Sequence, residues 1–212
     1  MLGMMLGNHH TYYDWLLLLG RIEIATPTPK KTKIDIEGAD GALDMSEAFG
    51  NIKYNNAENS FTFYMFGDRA LFIARYTEIK NAIHGEKVRI ILDDDSAYFL
   101  LGRLTVGSLK TEKGYAAFNV EADCDPYKYR ISKTVIAKDI TGSGTVILTN
   151  GRKRAVPEIT ATAAMTIGYM GDVWAINAGS ITIPEFELSA GENIISVTGT
   201  GKITFAWQEG DL

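Results

Sequence analysis

A single cysteine, Cys124, stands in the 212-residue chain, so no intrachain disulfide can staple the fold. That usage fits assembly in a reducing compartment. Proline is scarce, five residues against twenty-one glycines, a balance that suits many tight turns. Basic clusters are also missing; the densest is Arg152-Lys153-Arg154. Residues 1–130 carry 15 basic and 18 acidic groups, and residues 131–212 carry 6 and 8. Neither half is a basic nucleic-acid module, because a protein that clamps phosphates needs clustered lysine and arginine. Long hydrophobic runs are absent: the richest, Trp15–Leu19, is five residues, too short for a membrane span. The opening Met1-Leu-Gly-Met-Met-Leu-Gly-Asn-His-His has no basic n-region, so it does not read as a signal peptide, and Met4 and Met5 stand as alternative starts. Hydrophobic content of 46% with 22% charged residues argues against wholesale disorder.

Helical periodicity is nearly absent too. It occurs once, over Arg69–His84, where Phe72, Tyr76, Ile79 and Ile83 recur at 3- and 4-residue spacing. Asp68 is placed to cap the start, and Gly85 follows the last turn. Elsewhere the pattern is that of strands. Tyr12–Leu19 reads as a buried strand or strand pair, with Ile22, Ile24 and Thr26 alternating after it. Lys33–Glu37 is a strand stopped by the turn Gly38-Ala39-Asp40-Gly41. Asp44–Gly50 reads as a single turn, and Asn55–Ser60 as a polar loop before the strand Phe61–Phe66. Lys87–Leu92, Tyr98–Val106 and Tyr115–Asp123 form a meander after the helix, with turns at Asp93–Ser96 and Lys110–Gly114.

The last of these strands stops at Asp125-Pro126, since proline cannot donate to a ladder. Beyond Arg130 eight short strands are expected: Thr134–Ala137, Thr145–Thr149, Glu158–Ala161, Met165–Tyr169, Val173–Asn177, Ser180–Ile183, Asn193–Thr198 and Lys202–Trp207. The expected separators include Gly142-Ser143-Gly144, Asn150-Gly151 and Gly199-Thr200-Gly201. The chain therefore reads as mainly β in two modules. Residues 1–130 form a sandwich- or barrel-like module with one α-helix, and residues 131–212 a jelly-roll or β-sandwich. So short a second module is expected to bury a small core and to lean on a neighbour. Pro126 is expected to fix how it leaves the first, with Pro126→Gly loosening the two while each stays folded.

Candidate chemistry is thin. His9, His10 and His84 lack acidic or cysteine partners nearby in sequence, so no metal site is expected. His84 reads as a helix-end cation favoured by the dipole. Asp93-Asp94-Asp95 lacks the alternating ligands, glycine and closing glutamate of a calcium loop and reads as a hairpin turn. Gly142-Ser-Gly144 lacks the lysine of a phosphate loop and precedes a strand. Cys124 lies between Asp123 and Asp125, which raise a thiol pKa. Glu185 and Glu187 would share a face if they lay on a strand, an arrangement that chance often supplies. Tyr169, Trp174, Phe186 and Trp207 could make a sugar-stacking platform, although aromatics more often fill a small core. A lectin-like module that recognises host cell-surface glycans is the alternative reading; an enzyme ranks below it.

Taken together, several runs are similar to a known family. They include Pro29 with its following strand, Ile36-Glu-Gly38-Ala-Asp40-Gly41-Ala-Leu43-Asp44, Tyr54-Asn55-Asn56, and Phe61-Thr62-Phe63. They continue with Ile83-His84-Gly85-Glu86-Lys87, Ile90–Asp94 with Tyr98, and Gly102-Arg103. The most telling is Cys124-Asp-Pro126-Tyr127-Lys128-Tyr129. In the second module the run is Asn150-Gly151 with Pro157, Leu188–Asn193 and Trp207. The chain resembles the distal tail proteins (Dit) of long-tailed, non-contractile bacteriophages and prophages. The resemblance implies a virion protein of the tail tip, assembled in the host bacterial cytoplasm. It implies a six-fold homo-oligomeric ring that stacks on the tail tube protein and lets DNA pass through its lumen. It also implies a galectin-like C-terminal module that docks tail-associated, baseplate or receptor-binding proteins, with no cofactor, no catalysis and no membrane partner. An acidic balance suits a channel that must release DNA, and closed symmetry covers exposed sheet edges.

Overall fold

The computed structural model describes residues 3–48 and 50–212. The chain is mainly β, with one α-helix among the described residues and antiparallel sheets. It divides into two compact units, Met1–Lys128 and Tyr129–Leu212.

In the first unit the elements run β1 (Met4–Leu6), β2 (His9–His10), β3 (Leu18–Glu23), β4 (Lys33–Asp35), β5 (Ala42–Asp44), β6 (Ala57–Phe66), α1 (Arg69–Ile83), β7 (Lys87–Leu92), β8 (Tyr98–Val106), β9 (Lys110–Thr111) and β10 (Tyr115–Cys124). The main sheet has the order β2-β1-β7-β8-β10-β6-β3, with β9 beside β10. Its centre is the ten-residue pairing of β10 with β6. Alternation sends Ala57, Asn59, Phe61, Phe63 and Met65 of β6 inward, and Ala116, Phe118, Val120, Ala122 and Cys124 of β10. Phe63 and Phe118 face each other in register, ring centroids 5.8 Å apart. Burying each such ring stabilises by roughly 1.5–3 kcal/mol. The helix lays Phe72, Ile79 and Ile83 on this core, and Tyr76 turns its edge to Phe118 while its hydroxyl donates to Gly107 O at 2.9 Å. Asp68 caps α1 by accepting from Leu71 N, and Gly85 follows at φ 84°.

Three local expectations change. Leu16–Leu19 is not a continuous strand. Thr11–Trp15 is a turn, and Leu16 takes φ 51° and points outward while Trp15 and Leu17 are buried. β3 then begins at Leu18 and bulges at Gly20, where a Cβ would strike the Tyr64 ring at 2.2 Å. The polar run Asn55–Ser60 is not a loop either. From Ala57 it is strand, because Asn59 is buried with its carbonyl accepting Ala25 N at 2.8 Å. Lastly, Ala42–Asp44 is a strand, and the turn expected over Asp44–Gly50 follows it; Phe49 of that segment lies outside the described residues.

In the second unit, after Lys128–Arg130 (β11), come β12 (Thr134–Asn150), β13 (Glu158–Ala161), β14 (Met165–Tyr169), β15 (Asp172–Ile176), β16 (Gly179–Thr182), β17 (Gly191–Trp207) and β18 (Gly210–Asp211). Four of the expected short strands fuse into two long ones. β12 and β17 are 17 residues each and pair without a register break, straight through Gly142-Ser-Gly144 and Gly199-Thr-Gly201. The glycines do not end the strands; they bend them. Gly142 and Gly199 lie opposite each other, at φ 79° and 140°. Residues seven apart in a straight strand lie roughly 23 Å apart, yet Lys138 Nζ reaches Thr145 O at 2.6 Å, so β12 folds over at Gly142. Before its bend β17 pairs with β14, and after it with β13. One strand pair thus serves both halves of a β-sandwich, the means by which sheet corners are made. Its core is a single cluster that includes Val146, Leu148, Ile167, Phe186, Ile195, Ile203, Phe205 and Trp207. Among the described residues this cluster holds as many buried side chains as that of the first unit, in a chain about a third shorter, so the expectation of a small core gives way.

Candidate interaction surfaces

The residues singled out in sequence are mostly structural. Gly38 (φ 82°) and Gly41 (φ 75°) make the turn, with Asp40 at its exposed tip, that joins β4 to β5. Asp44 closes that hairpin: its carboxylate accepts Ser46 N at 2.9 Å, and the Ser46 hydrogen bonds hold its pKa below the ordinary value. Gly102 lies opposite Cys124 in β8–β10, where a Cβ would sit 2.5 Å from Sγ, so glycine is needed to admit the thiol. Cys124 is fully buried, and burial, aided by Asp123 and Asp125, pushes its thiol from 9.0 up to about 11. That is the opposite of what a nucleophile needs.

The hexapeptide Cys124–Tyr129 is tied residue by residue. Asp125 N donates to Leu101 O, and the Asp125 carboxylate accepts Lys87 Nζ at 2.8 Å. After Pro126, Tyr127 meets the Tyr54 ring edge-on at 6.0 Å, while Tyr54 bridges Pro29. Lys128 Nζ binds Asp95 Oδ2 at 3.0 Å and lies over the Tyr98 ring. Within the second unit, Lys153 lies over the Tyr129 ring.

The histidines and the acidic turn have uses that sequence did not reveal. His10 Nδ1 accepts the Tyr12 and Tyr13 amides, each at 3.1 Å, and its Nε2 faces Asp93 Oδ1 at 3.1 Å. Asp93 also accepts Gly3 N at 2.8 Å, so the first aspartate of the triplet clamps the N-terminal strand. His9 stacks on Trp15. His84 caps the C-terminal end of α1, and its Nδ1 accepts Val106 N at 3.0 Å, which ties the helix end to β8. Among the described residues no group of three or more acidic, histidine or cysteine side chains is placed to hold a metal ion.

The four aromatics of the sugar-platform reading differ in burial. Phe186 and Trp207 are in the core, Tyr169 is buried and Trp174 half-buried. Trp207 Nε1 donates to Asn150 Oδ1 at 3.0 Å, and Tyr169 OH donates to Asn193 Oδ1. The two asparagines, not singled out as functional positions in sequence, are buried and staple the 188–191 segment: Asn193 Nδ2 donates to the Leu148, Ser189 and Gly191 carbonyls, and Asn150 Nδ2 to those of Lys153, Leu188 and Ser189. Glu185 and Glu187 are not on a strand; Glu187 pairs with Arg154 at 2.8 Å.

What the first unit does expose is an arm. Between Ile22 and Ala57 no described residue joins the core. Asn55 N donates to Thr28 O and Lys30 N to Lys53 O, Pro29 bridges Tyr54, and β4 pairs with β5, so the segment runs out and back on itself. At its outer end Ile34 and Leu43 face each other, both about half exposed, and Ile36 is exposed beside them. A two-stranded ribbon is marginal alone in water. The second unit exposes Met170, Val173 and Ile194 around an open groove of about 300 Å³ at Gly168.

These placements define a mainly β protein of two units with an apolar arm and open sheet edges. No protein-family model and no curated protein matches the chain. Among solved structures it is similar to SPP1 Dit (gp 19.1), with a TM-score of 0.73, 18% identity and 100% of both chains covered. That crystal structure is described as a paradigm of the hub adsorption apparatus in phages infecting Gram-positive bacteria. At this identity the likeness establishes the fold, over both units.

Proposed function

We propose that the chain is a structural hub protein of a non-contractile phage or prophage tail tip, forming a ring of six copies. The ring joins the tail tube to the tip and host-adsorption proteins and lets DNA pass. The observation that carries this reading is the end-to-end fold likeness to a phage hub protein, which takes in both units and leaves no part of either chain over. The N-terminal unit is the ring-former and the C-terminal unit the galectin-like docking module. The arm supports oligomerisation: Ile34, Ile36 and Leu43 gain a covered environment when a neighbouring copy packs on them. The burial of Phe186 and Trp207 tells against a direct glycan-binding role for those aromatics.

Electron microscopy of the purified chain, alone and with its tail-tube partner, tests the ring. Six-fold particles with an open centre are the expected result; a strict monomer under both conditions overturns it. Robust micromolar binding on a glycan array would move the reading to a lectin.

A further inference from the structure

Sheet edges are where unpaired backbone groups invite another strand, and proteins protect them with charge, proline, bulges or shortness. Most edges here are protected. β3 carries Arg21 and Glu23 and is bulged; β2 is two residues and β16 four; β15 opens with Asp172. The edge of β12 is different. Among the described residues its only pairing partner is β17, and from Gly144 to Thr149 it reads Gly-Thr-Val-Ile-Leu-Thr, with no charge, proline or register shift.

The hydrogen bonds show which backbone groups of this edge face outward. On β17, Lys202 N and O both engage Thr162, on the side away from β12. By the two-residue alternation of a strand, Ser196 and the other even positions of β17 point the same way, and the odd positions point to β12. In register, therefore, Val146, Leu148 and Asn150 bond β17, while Thr145, Ile147 and Thr149 direct N–H and C=O outward. Lys138 Nζ on Thr145 O fits this assignment, and it covers that one carbonyl.

We propose that the Thr145–Thr149 edge docks a second copy of itself, antiparallel, across a two-fold axis at Ile147. The segment is self-complementary. Ile147 pairs with Ile147 of the other copy through two backbone bonds, and Thr145 pairs with Thr149 at each end through two more, with the strand amide replacing Lys138 on Thr145 O. Ile147 and Ile194 are cross-strand neighbours on the outer face and both are more than half exposed, so pairing aligns four isoleucines in one apolar row. Charge also complements. Glu192 lies opposite Thr149, so the displaced Lys138 of one copy is left beside the row that ends in Glu192 of the other. The occupant is a strand of this chain, and the contact does not rest on the ring reading, since it uses the second unit alone.

Cysteine cross-linking tests it on the full chain. In a hydrogen-bonded antiparallel pair the two Cα atoms lie about 5.5 Å apart, within disulfide range. Ile147→Cys is expected to give a covalent dimer under mild oxidation. The equally exposed Ile194→Cys, whose copies would sit roughly 14 Å apart across three strand spacings, is expected to give little. Native Cys124 is buried and does not compete. Ile147→Pro removes an outward N–H without touching the β17 ladder, so it is expected to keep the circular dichroism spectrum and lower the association constant roughly tenfold or more in sedimentation equilibrium. Equal cross-linking of the two cysteine variants, or undiminished association of a folded Ile147→Pro chain, would overturn the proposal.

Discussion

Gly102 in the first unit and the pair Gly142 and Gly199 in the second are used in opposite ways. In the first, Gly102 has ordinary strand geometry and is needed for space, because the Cys124 sulfur occupies the place of its Cβ. In the second, Gly142 and Gly199 are needed for conformation, because the two long strands turn a corner there at positive φ. The first unit thereby keeps a densely paired sheet centre on which one helix lies. The second obtains both halves of its sandwich from a single strand pair, and no helix is required to close its core. A missing side chain can thus serve packing or bending, and only the residue across the ladder tells which.

The comparison is broken most severely at the core of the second unit. Phe186→Ala should cost about 3–5 kcal/mol, since Phe186 is fully buried against Tyr169, Trp174 and Phe205. Hydrogen exchange should show accelerated amides in β12–β17 with the β6–β10 amides unchanged. Next comes the bend. Gly199→Ala should cost about 2–3 kcal/mol in chemical denaturation, since φ is 140° and the added Cβ would lie 2.9 Å from Met165 Cγ.

In the first unit the cost is steric and therefore removable. Gly102→Ala should destabilise by about 1–3 kcal/mol, and by clearly less in a Cys124→Ala background, which a double-mutant cycle measures. The same thiol gives a pH signature. Its folded pKa is raised, so the folded state holds the proton more tightly than the unfolded chain. Its contribution is complete below 9.0 and is lost as pH rises to about 11. Stability of the first unit should fall over that window in the native chain, and the fall should shrink in Cys124→Ala. The smallest effect is at the helix cap: Asp68→Ala should cost about 1 kcal/mol, seen as a lower melting temperature.

Alternation made β6 and β10 readable from Phe61 and Phe118 onward, and Asp68 and Gly85 marked the helix ends, because those signals are local. Gly142 and Gly199 were misread as separators because a glycine in isolation signals a turn, whereas here each has a partner to hold it in a ladder. Asn59, Asn150 and Asn193 look like loop residues until burial and their bonds to distant backbone groups are seen. The His10–Asp93 contact spans 83 positions and leaves no trace in spacing. The platform aromatics were legible as aromatics, but which way Phe186 and Trp207 point is decided by the sandwich around them.

The strand pair β12–β17 also sets an order of events during synthesis. Its near ends are Asn150 and Gly191, and its far ends are Thr134 and Trp207. The strands β1, β2, β3, β6, β7, β8 and β10 of the first unit have all emerged by Cys124 and can pair while the rest is still being translated. In the second, the half built on β14 waits for Gly191–Gly199 and the half built on β13 for Ile203–Trp207, so the sandwich closes only once the whole of β17 has emerged.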